Sequence, residues 1–211
     1  VGFRRISALL AEPTEQAKPV ESNPESPVDA RGPIRFDRVG FSYPGAAQPA
    51  LRTVTFDIAP GSTVAVVGPT GAGKSTIVKL IERFYEPTEG AIHANTTDIK
   101  DLPMNGWRST VGFVPQEAHL FTGTIAENIA YGRPTASREE ITDAARRVGA
   151  LHAIAAIPGG FNARIGERGR GLSSGQRQLV ALARAEMIHP QLLLLDEATA
   201  TLDPATEKSI V

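Results

Sequence analysis

The sequence predicts an α/β domain that carries a helical subdomain. Two early segments, Ile34–Phe41 and Val54–Ile58, alternate apolar and polar residues as antiparallel strands with one buried face do. Two short apolar runs, Val64–Val67 and Leu192–Leu195, have the composition of strands buried on both faces. Between these runs, residues from about 134 to 158 follow a helical spacing.

Composition excludes several classes of protein. The 211 residues include 41% hydrophobic and 21% charged residues, which is ordinary for a globular domain. The net charge of −1 gives no whole-chain excess of positive charge for binding nucleic acid or anionic lipid. The absence of cysteine excludes disulfides, zinc–thiolate sites and thiol nucleophiles.

The ends of the chain differ in composition from its middle. Residues 1–10 follow a helical pattern, and residues 11–33 are rich in proline, which is typical of a linker. We therefore expect one domain over 34–211, with its helical subdomain at about 117–188. Because helical patterns run into both ends, we expect a piece of a longer polypeptide.

The segment Gly68–Ser75 has the P-loop spacing G-x-x-x-x-G-K-S/T, between a predicted strand and a predicted helix. Its glycines let the backbone approach phosphates at a helix N-terminus. Lys74 is expected to reach the β- and γ-phosphates, and the Ser75 hydroxyl to bind Mg²⁺. The helix that follows should bury one side; its apolar residues are Ile77, Leu80, Ile81 and Phe84.

An acidic pair ends the second apolar run. Asp196 lies where open α/β sheets bind ligands, so its carboxylate can hold Mg²⁺ directly or through water. The neighbouring Glu197 can accept a proton from an attacking water.

Two further helices have sequence signatures at their starts. Ser137 and Glu140 have the spacing of a capping box, and so do Ser173 and Gln176, which open a predicted helix from Gln176 to Ile188. Beside Gly175, the N-terminus of this last helix is a second candidate anion site.

With these motifs, residues from about Pro33 to Val211 resemble the nucleotide-binding domain of ATP-binding cassette (ABC) transporters, and more narrowly exporters in which this domain follows a fused membrane domain. The resemblance implies a P-loop NTPase (RecA-like) core with an antiparallel β subdomain and a helical signature subdomain. It also implies ATP hydrolysis with Mg²⁺, by two such domains paired head to tail. The P-loop of one domain and the signature, Leu172–Gln176, of the other would enclose each ATP.

The resemblance also implies residue roles. Catalysis would fall to Glu197 as the base and to Gln116, which senses Mg²⁺ and the attacking water. The magnesium ligands would be Ser75, Gln116 and Asp196. Tyr43 would stack on adenine, and Asp203 would lie in the loop that crosses the dimer interface. The remaining ATP contacts would be Gly68, Pro69, Thr70, Gly71, Ala72, Gly73, Lys74, Ser75, Thr76, Ser173, Gly175 and Gln176.

Membrane partners follow from the same resemblance. Phe121–Ile129 resembles the exporter surface that touches the coupling helices of the membrane domain. Residues 3–13 resemble the cytoplasmic tail of a last transmembrane helix. We therefore expect a second nucleotide-binding domain and a transmembrane domain as partners, no nucleic acid, and a location at the cytoplasmic face of the cell (inner) membrane.

The sequence departs from the family at three places. Ser174 replaces a usual glycine, and Arg164 replaces a glutamate that often faces the coupling helix. The family's switch histidine lies beyond Glu197, where this chain has none; we interpret the others as surface or packing residues, namely His93, His119, His152 and His189. Without the strand that bears it, we expect exposed strand edges, aggregation and little ATP turnover.

Three alternative functions fit the sequence less well. A degenerate nucleotide switch would bind ATP without hydrolysis, but such sites usually alter the base, which here is Glu197. A soluble ABC ATPase of DNA repair or translation does not account for Phe121–Ile129. A small-molecule P-loop kinase accounts for neither Glu197 nor the segment Ser173–Gln176.

Overall fold

An antiparallel sheet forms the first half of the structure. The computed structural model describes residues 28–196. Its four-stranded sheet has the order β2-β1-β3-β4, all neighbours being antiparallel, as predicted for the first two strands. The strands are β1 (Ile34–Phe41), β2 (Leu51–Ile58), β3 (Glu89–Ala94) and β4 (Thr97–Asp98).

The inner face of this sheet packs on the helix that follows the P-loop. Helix α1 spans Lys74–Ile81 and buries Ile77, Leu80 and Ile81 against the β1 residues Ile34, Phe36 and Val39. The prediction for Phe84 is wrong: the helix ends before it, so Phe84 lies beyond the buried stripe and is exposed.

A parallel pair of strands carries the acidic end of the second apolar run. Helix α2 (Met104–Thr110) leads directly into β5 (Val111–Val114), which pairs in parallel with β8 (Leu192–Leu195). β8 is buried on one face only: Leu194 lies in the core, whereas Leu193 and Leu195 are 44% and 40% exposed. The predicted double burial is wrong because no described element covers that second face.

The first apolar run does not form a strand. Residues Val64–Val67 have no ladder partner within 28–196, and the Val67 side chain is 87% exposed. A strand is stabilised by hydrogen bonds to a neighbouring strand, and its apolar side chains by burial. Neither is available to this run within the described residues, so the prediction of a strand buried on both faces is wrong here.

The second half of the structure is mainly helical. Helix α6 (Ser174–Met187) packs on α3 (Ile125–Ile129) and α4 (Arg138–Arg147) around a second apolar cluster that includes Val180 and Leu182. Both predicted capping boxes are present, at the starts of α4 and α6. The other elements are α5 (Leu151–Ala155), β6 (Gly123–Thr124), β7 (Arg164–Ile165) and 3₁₀ turns at Ile99–Asp101, Ala130–Gly132, Gly160–Asn162 and Glu167–Gly169. Over the described part of the chain, none of the helices is long and apolar enough to cross a membrane.

The exposed apolar face of β8 predicts self-association, because exposed apolar strands recruit other chains. We expect static light scattering to show association of the wild-type protein at micromolar concentration. Leu193→Lys should raise the concentration at which association begins by several-fold. The control Leu151→Lys changes a partly buried leucine elsewhere. A wild-type protein that stays monomeric across this range contradicts the prediction.

Candidate functional site

The P-loop wraps around the N-terminus of α1 in a conformation that requires glycine. Gly71 and Gly73 have φ angles of +83° and +89°, in the left-handed region. A Cβ on Gly73 would lie 2.7 Å from the carbonyl oxygen of Ala50. The loop is exposed, so its backbone N–H groups and the N-terminus of α1 are accessible to an anion.

The ammonium group of Lys74 lies across the loop. Its Nζ donates to the carbonyl oxygens of Gly68, at 2.9 Å, and of Pro69, at 3.1 Å. The positive charge is therefore held over the loop by two neutral acceptors. Phosphate oxygens are stronger partners for an ammonium group than carbonyls are, since charge-assisted hydrogen bonds are about twice as strong as neutral ones.

A hydrogen bond joins the two motifs that the sequence separates by 121 residues. Ser75 Oγ donates to Asp196 Oδ1 at 3.1 Å. Hydroxyl and carboxylate oxygens are the ligands that Mg²⁺ prefers, with water and substrate phosphates completing its shell. Within 28–196 no group of three or more His, Cys, Asp or Glu could hold a metal by itself. The residues present therefore fit a magnesium ion shared with phosphates.

The parallel register places Gln116 at the same edge as Asp196. Val114 lies opposite Leu195, and the Asp196 N–H donates to the Val114 carbonyl at 3.0 Å. Gln116 follows β5 by two residues and is exposed. Both side chains therefore follow the carboxyl ends of neighbouring parallel strands, the usual ligand-binding edge.

Tyr43 lies beside the first turn of α1. Its hydroxyl is hydrogen-bonded to Thr76 Oγ1 at 3.1 Å, and Lys79 Nζ lies 5.6 Å from its ring centroid. The rings of Phe41 and Tyr85 meet it edge-on, at 4.8 and 5.2 Å. Sequence reasoning missed Tyr85 and Lys79, because only the fold brings them to Tyr43.

The signature segment is a well-capped helix start. Ser173 Oγ accepts from the Gln176 N–H at 3.1 Å, and Gln176 Oε1 accepts from the Ser173 N–H at 2.9 Å. Helix α6 begins at Ser174, two residues before the predicted start. In the described residues, no hydrogen bond or ion pair joins this segment to the P-loop. The predicted base Glu197, the predicted interface residue Asp203 and residues 1–27 lie outside the described part.

An apolar groove of about 360 Å³ lies on the helical half. Phe121 and Tyr131 are exposed beside it and stack with ring centroids 4.5 Å apart. The guanidinium of Arg184 lies 5.4 and 5.8 Å from these two centroids, and burial lowers the pKa of Arg184. The groove is lined by Ala126, Glu127, Ala130, Tyr131, Pro134, Ala136 and Ile141.

One wall of the groove is acidic. Glu127 completes a capping box with Thr124 at the start of α3. The backbone N–H of Thr124, followed by the Thr124 hydroxyl and the positive charge of Arg164, lowers the pKa of Glu127. Ala126 and Glu127 belong to the predicted segment Phe121–Ile129, whereas Tyr131, Pro134 and Ile141 follow Ile129 in the chain and join the groove through packing.

Comparison with known proteins identifies the fold and its relatives. Residues 51–200 match the ABC transporter family. The chain is 44% identical over 210 residues to a multidrug efflux ATP-binding/permease protein of Mycobacterium bovis, covering 98% of the chain and 17% of that protein. It is 42% identical over 205 residues to an ATP-dependent lipid A-core flippase of Chromobacterium violaceum, covering 97% of the chain and 34% of the flippase.

A solved structure is also similar. A bacterial Atm1-family ABC exporter with ATP bound superposes with a TM-score of 0.87 at 42% identity, covering 99% of this chain and 36% of that one. The chain thus spans between about a sixth and about a third of the length of these proteins.

The geometry of Lys74 predicts its effect on binding. Lys74→Ala should lower the affinity for Mg·ATP roughly 100-fold, because a hydrogen bond to a charged group contributes about 1.5–3 kcal/mol and about 1.4 kcal/mol is tenfold in affinity. Isothermal titration calorimetry measures the affinity. Lys100→Ala, at an exposed lysine paired with Asp98, is the control and should bind normally. Equal affinities of the two variants would show that Lys74 does not contact the nucleotide.

Proposed function

Since the chain belongs to the ABC transporter family, we propose that it is the ATP-hydrolysing motor of a membrane exporter. One observation is the main support for the proposal: the hydrogen bond from Ser75 to Asp196 places the P-loop against the acidic end of β8. A loop that binds phosphates and a carboxylate that binds magnesium are the two halves of a phosphoryl-transfer site.

Each residue of the site has a distinct task. The backbone of Gly68–Gly73 and the Lys74 ammonium group hold the β- and γ-phosphates. Ser75 and Asp196 supply oxygen ligands, and the Mg²⁺ they would hold neutralises phosphate charge. Gln116, at the same edge, orients the attacking water. Such chemistry depends mainly on positioning and electrostatic stabilisation.

Glu197 completes the reaction as the general base. It follows Asp196 directly in the sequence. A carboxylate there accepts the proton of the water that attacks the γ-phosphorus, and the bond from that phosphorus to the β–γ bridging oxygen breaks. ADP and phosphate are the products.

A second nucleotide-binding domain supplies the other face of the site. The start of α6 presents free N–H groups behind the Ser173 cap, and within residues 28–196 it is not bonded to the P-loop of its own chain. A helix N-terminus attracts anions. We infer that Ser173 and Gly175 bind the γ-phosphate held by a partner domain, with Asp203 at the interface between the two.

The groove beside Tyr131 is the contact for the membrane domain. It combines an apolar floor with two exposed stacked rings, a surface that fits a short amphipathic helix. We infer that a coupling helix of the exporter's own membrane domain docks there. The motor then works at the cytoplasmic face of the membrane.

Replacing the proposed base tests hydrolysis. In the full-length exporter, Glu197→Gln should reduce Mg·ATP turnover at least 100-fold, since the amide cannot accept the proton, and should leave ATP affinity within about twofold. Phosphate release and calorimetry measure the two quantities. Glu139→Gln, an exposed residue of α4, is the matched control. Unchanged turnover in Glu197→Gln would favour a nucleotide switch.

Removing one ring tests the docking groove. Tyr131→Ala should leave the ATP affinity of the isolated chain unchanged, because the groove is separate from the P-loop. In the membrane-embedded exporter it should lower ATP turnover several-fold, because the coupling helix loses an aromatic anchor. His152→Ala, an exposed residue of α5, serves as control. Equal turnover of wild type and Tyr131→Ala in the membrane would place the contact elsewhere.

A further inference from the structure

The C-terminal end of α1 has an unusual backbone. The N–H of Phe84 donates to the Lys79 carbonyl at 3.0 Å, and that of Arg83 to the Leu80 carbonyl at 3.1 Å. This is the Schellman pattern, in which the residue after the helix takes a left-handed conformation and is usually glycine. Here that residue is Arg83, with φ of +57°. This conformation is strained for a residue that has a Cβ atom.

The Arg83 side chain reaches the segment before α2. Nη1 donates to the Leu102 carbonyl at 2.7 Å, and Nη2 to the Lys100 carbonyl at 2.9 Å. Arg83 is buried. Arg83 therefore combines a left-handed backbone with two side-chain hydrogen bonds to the segment before α2.

Side chains of helix α2 in turn contact the end of α1. Arg108 donates from Nε to the Glu82 carbonyl at 3.1 Å and from Nη2 to the Arg83 carbonyl at 3.0 Å. Trp107 Nε1 donates to the Ile81 carbonyl at 2.7 Å. Three consecutive carbonyls at the end of α1 therefore accept hydrogen bonds from side chains of α2. We call this reciprocal set of contacts the interlock.

A buried carboxyl group lies at the interlock. Glu82 is buried, and its Oε2 has no hydrogen-bond partner among the described residues. Burial raises the pKa of Glu82 to about 7, while the positive charge of Arg108 lowers it. A buried carboxyl group without a hydrogen-bond partner lowers stability relative to an apolar residue of similar size. Stability alone therefore does not explain Glu82.

The interlock connects two parts of the ATP site. Helix α1 begins at Lys74, and α2 continues without a loop into β5, which ends two residues before Gln116. The Gln191 N–H, just before β8, donates to the Thr110 carbonyl at 2.8 Å. A fixed contact between α1 and α2 therefore fixes the P-loop relative to Gln116.

We propose that Arg83 and Arg108 are positioning residues that hold the P-loop and Gln116 in one geometry through the interlock. The catalytic part of this inference rests on the proposed hydrolysis of ATP. The structural part, a fixed separation between α1 and the end of β5, does not.

A distance measurement tests the structural part. The chain has no cysteine, so Lys79→Cys and Glu117→Cys, both at exposed positions, can carry spin labels for pulsed electron resonance. The distance distribution between the labels should be narrow in the otherwise wild-type chain. It should broaden about twofold with Arg83→Gly, which suits the left-handed backbone, and with Arg108→Gln, which leaves the backbone unchanged.

A matched variant controls for the glycine. Arg38 also has a left-handed φ, of +49°, and is an exposed arginine of β1. Arg38→Gly should leave the distribution narrow. Distributions for Arg83→Gly and Arg108→Gln as narrow as that of Arg38→Gly would overturn the proposal.

Turnover of the unlabelled full-length exporter tests the catalytic part. Arg83→Gly and Arg108→Gln should each lower kcat for Mg·ATP about tenfold with KM and bound-nucleotide stoichiometry unchanged, and the double variant should fall no further. A broadened distance with normal kcat would overturn the role in catalysis. Absence of turnover in the wild-type full-length exporter would contradict the proposed function instead, and the label distances would still test the interlock.

Discussion

The parallel pairing of β5 with β8 is the constraint on which the rest of the site depends. Its register sets Val114 opposite Leu195, so the residues that follow the two strands share one edge. Asp196 can then accept a hydrogen bond from the Ser75 hydroxyl, and this bond holds α1 and its P-loop at the same edge. A hydrogen bond to a charged group contributes about 1.5–3 kcal/mol, enough to select this arrangement.

The P-loop and the helical half both contact this edge. The P-loop is shaped by two left-handed glycines, and its own lysine lies across it, bonded to the Gly68 and Pro69 carbonyls. The helical half has its own apolar cluster, and α6 reaches β5 through Gln178, whose Nε2 donates to the Pro115 carbonyl at 3.3 Å. Movement of α6 would therefore displace Pro115, the residue next to Gln116.

Local patterns allowed part of this structure to be predicted from the sequence. The capping boxes at Ser137 and Ser173, the alternation of β1 and the P-loop spacing each depend on neighbours within a few residues. Burial of Val64–Val67 and of both faces of β8 depended on which strands and helices lie alongside, and these predictions were wrong. Apolar composition shows that a segment could be buried, but the partners that bury it are distant in sequence.

The same distinction applies to the candidate site. Motif spacing predicted Lys74, Ser75 and Asp196, and the structure brings Ser75 and Asp196 into contact. No spacing rule could find the contacts of Arg83 or of Tyr85, because their partners come from other elements. The left-handed backbone conformation of Arg83 can be recognised only from the structure.

Trp107 gives the protein an internal optical probe. It is the single tryptophan of the chain, fully buried, and its indole N–H is bonded to the last turn of the helix that begins at the P-loop. Its emission therefore reports on one place, the junction of α1 and α2. Loss of the bond to Ile81 and entry of water would shift that emission to longer wavelength, without any added label.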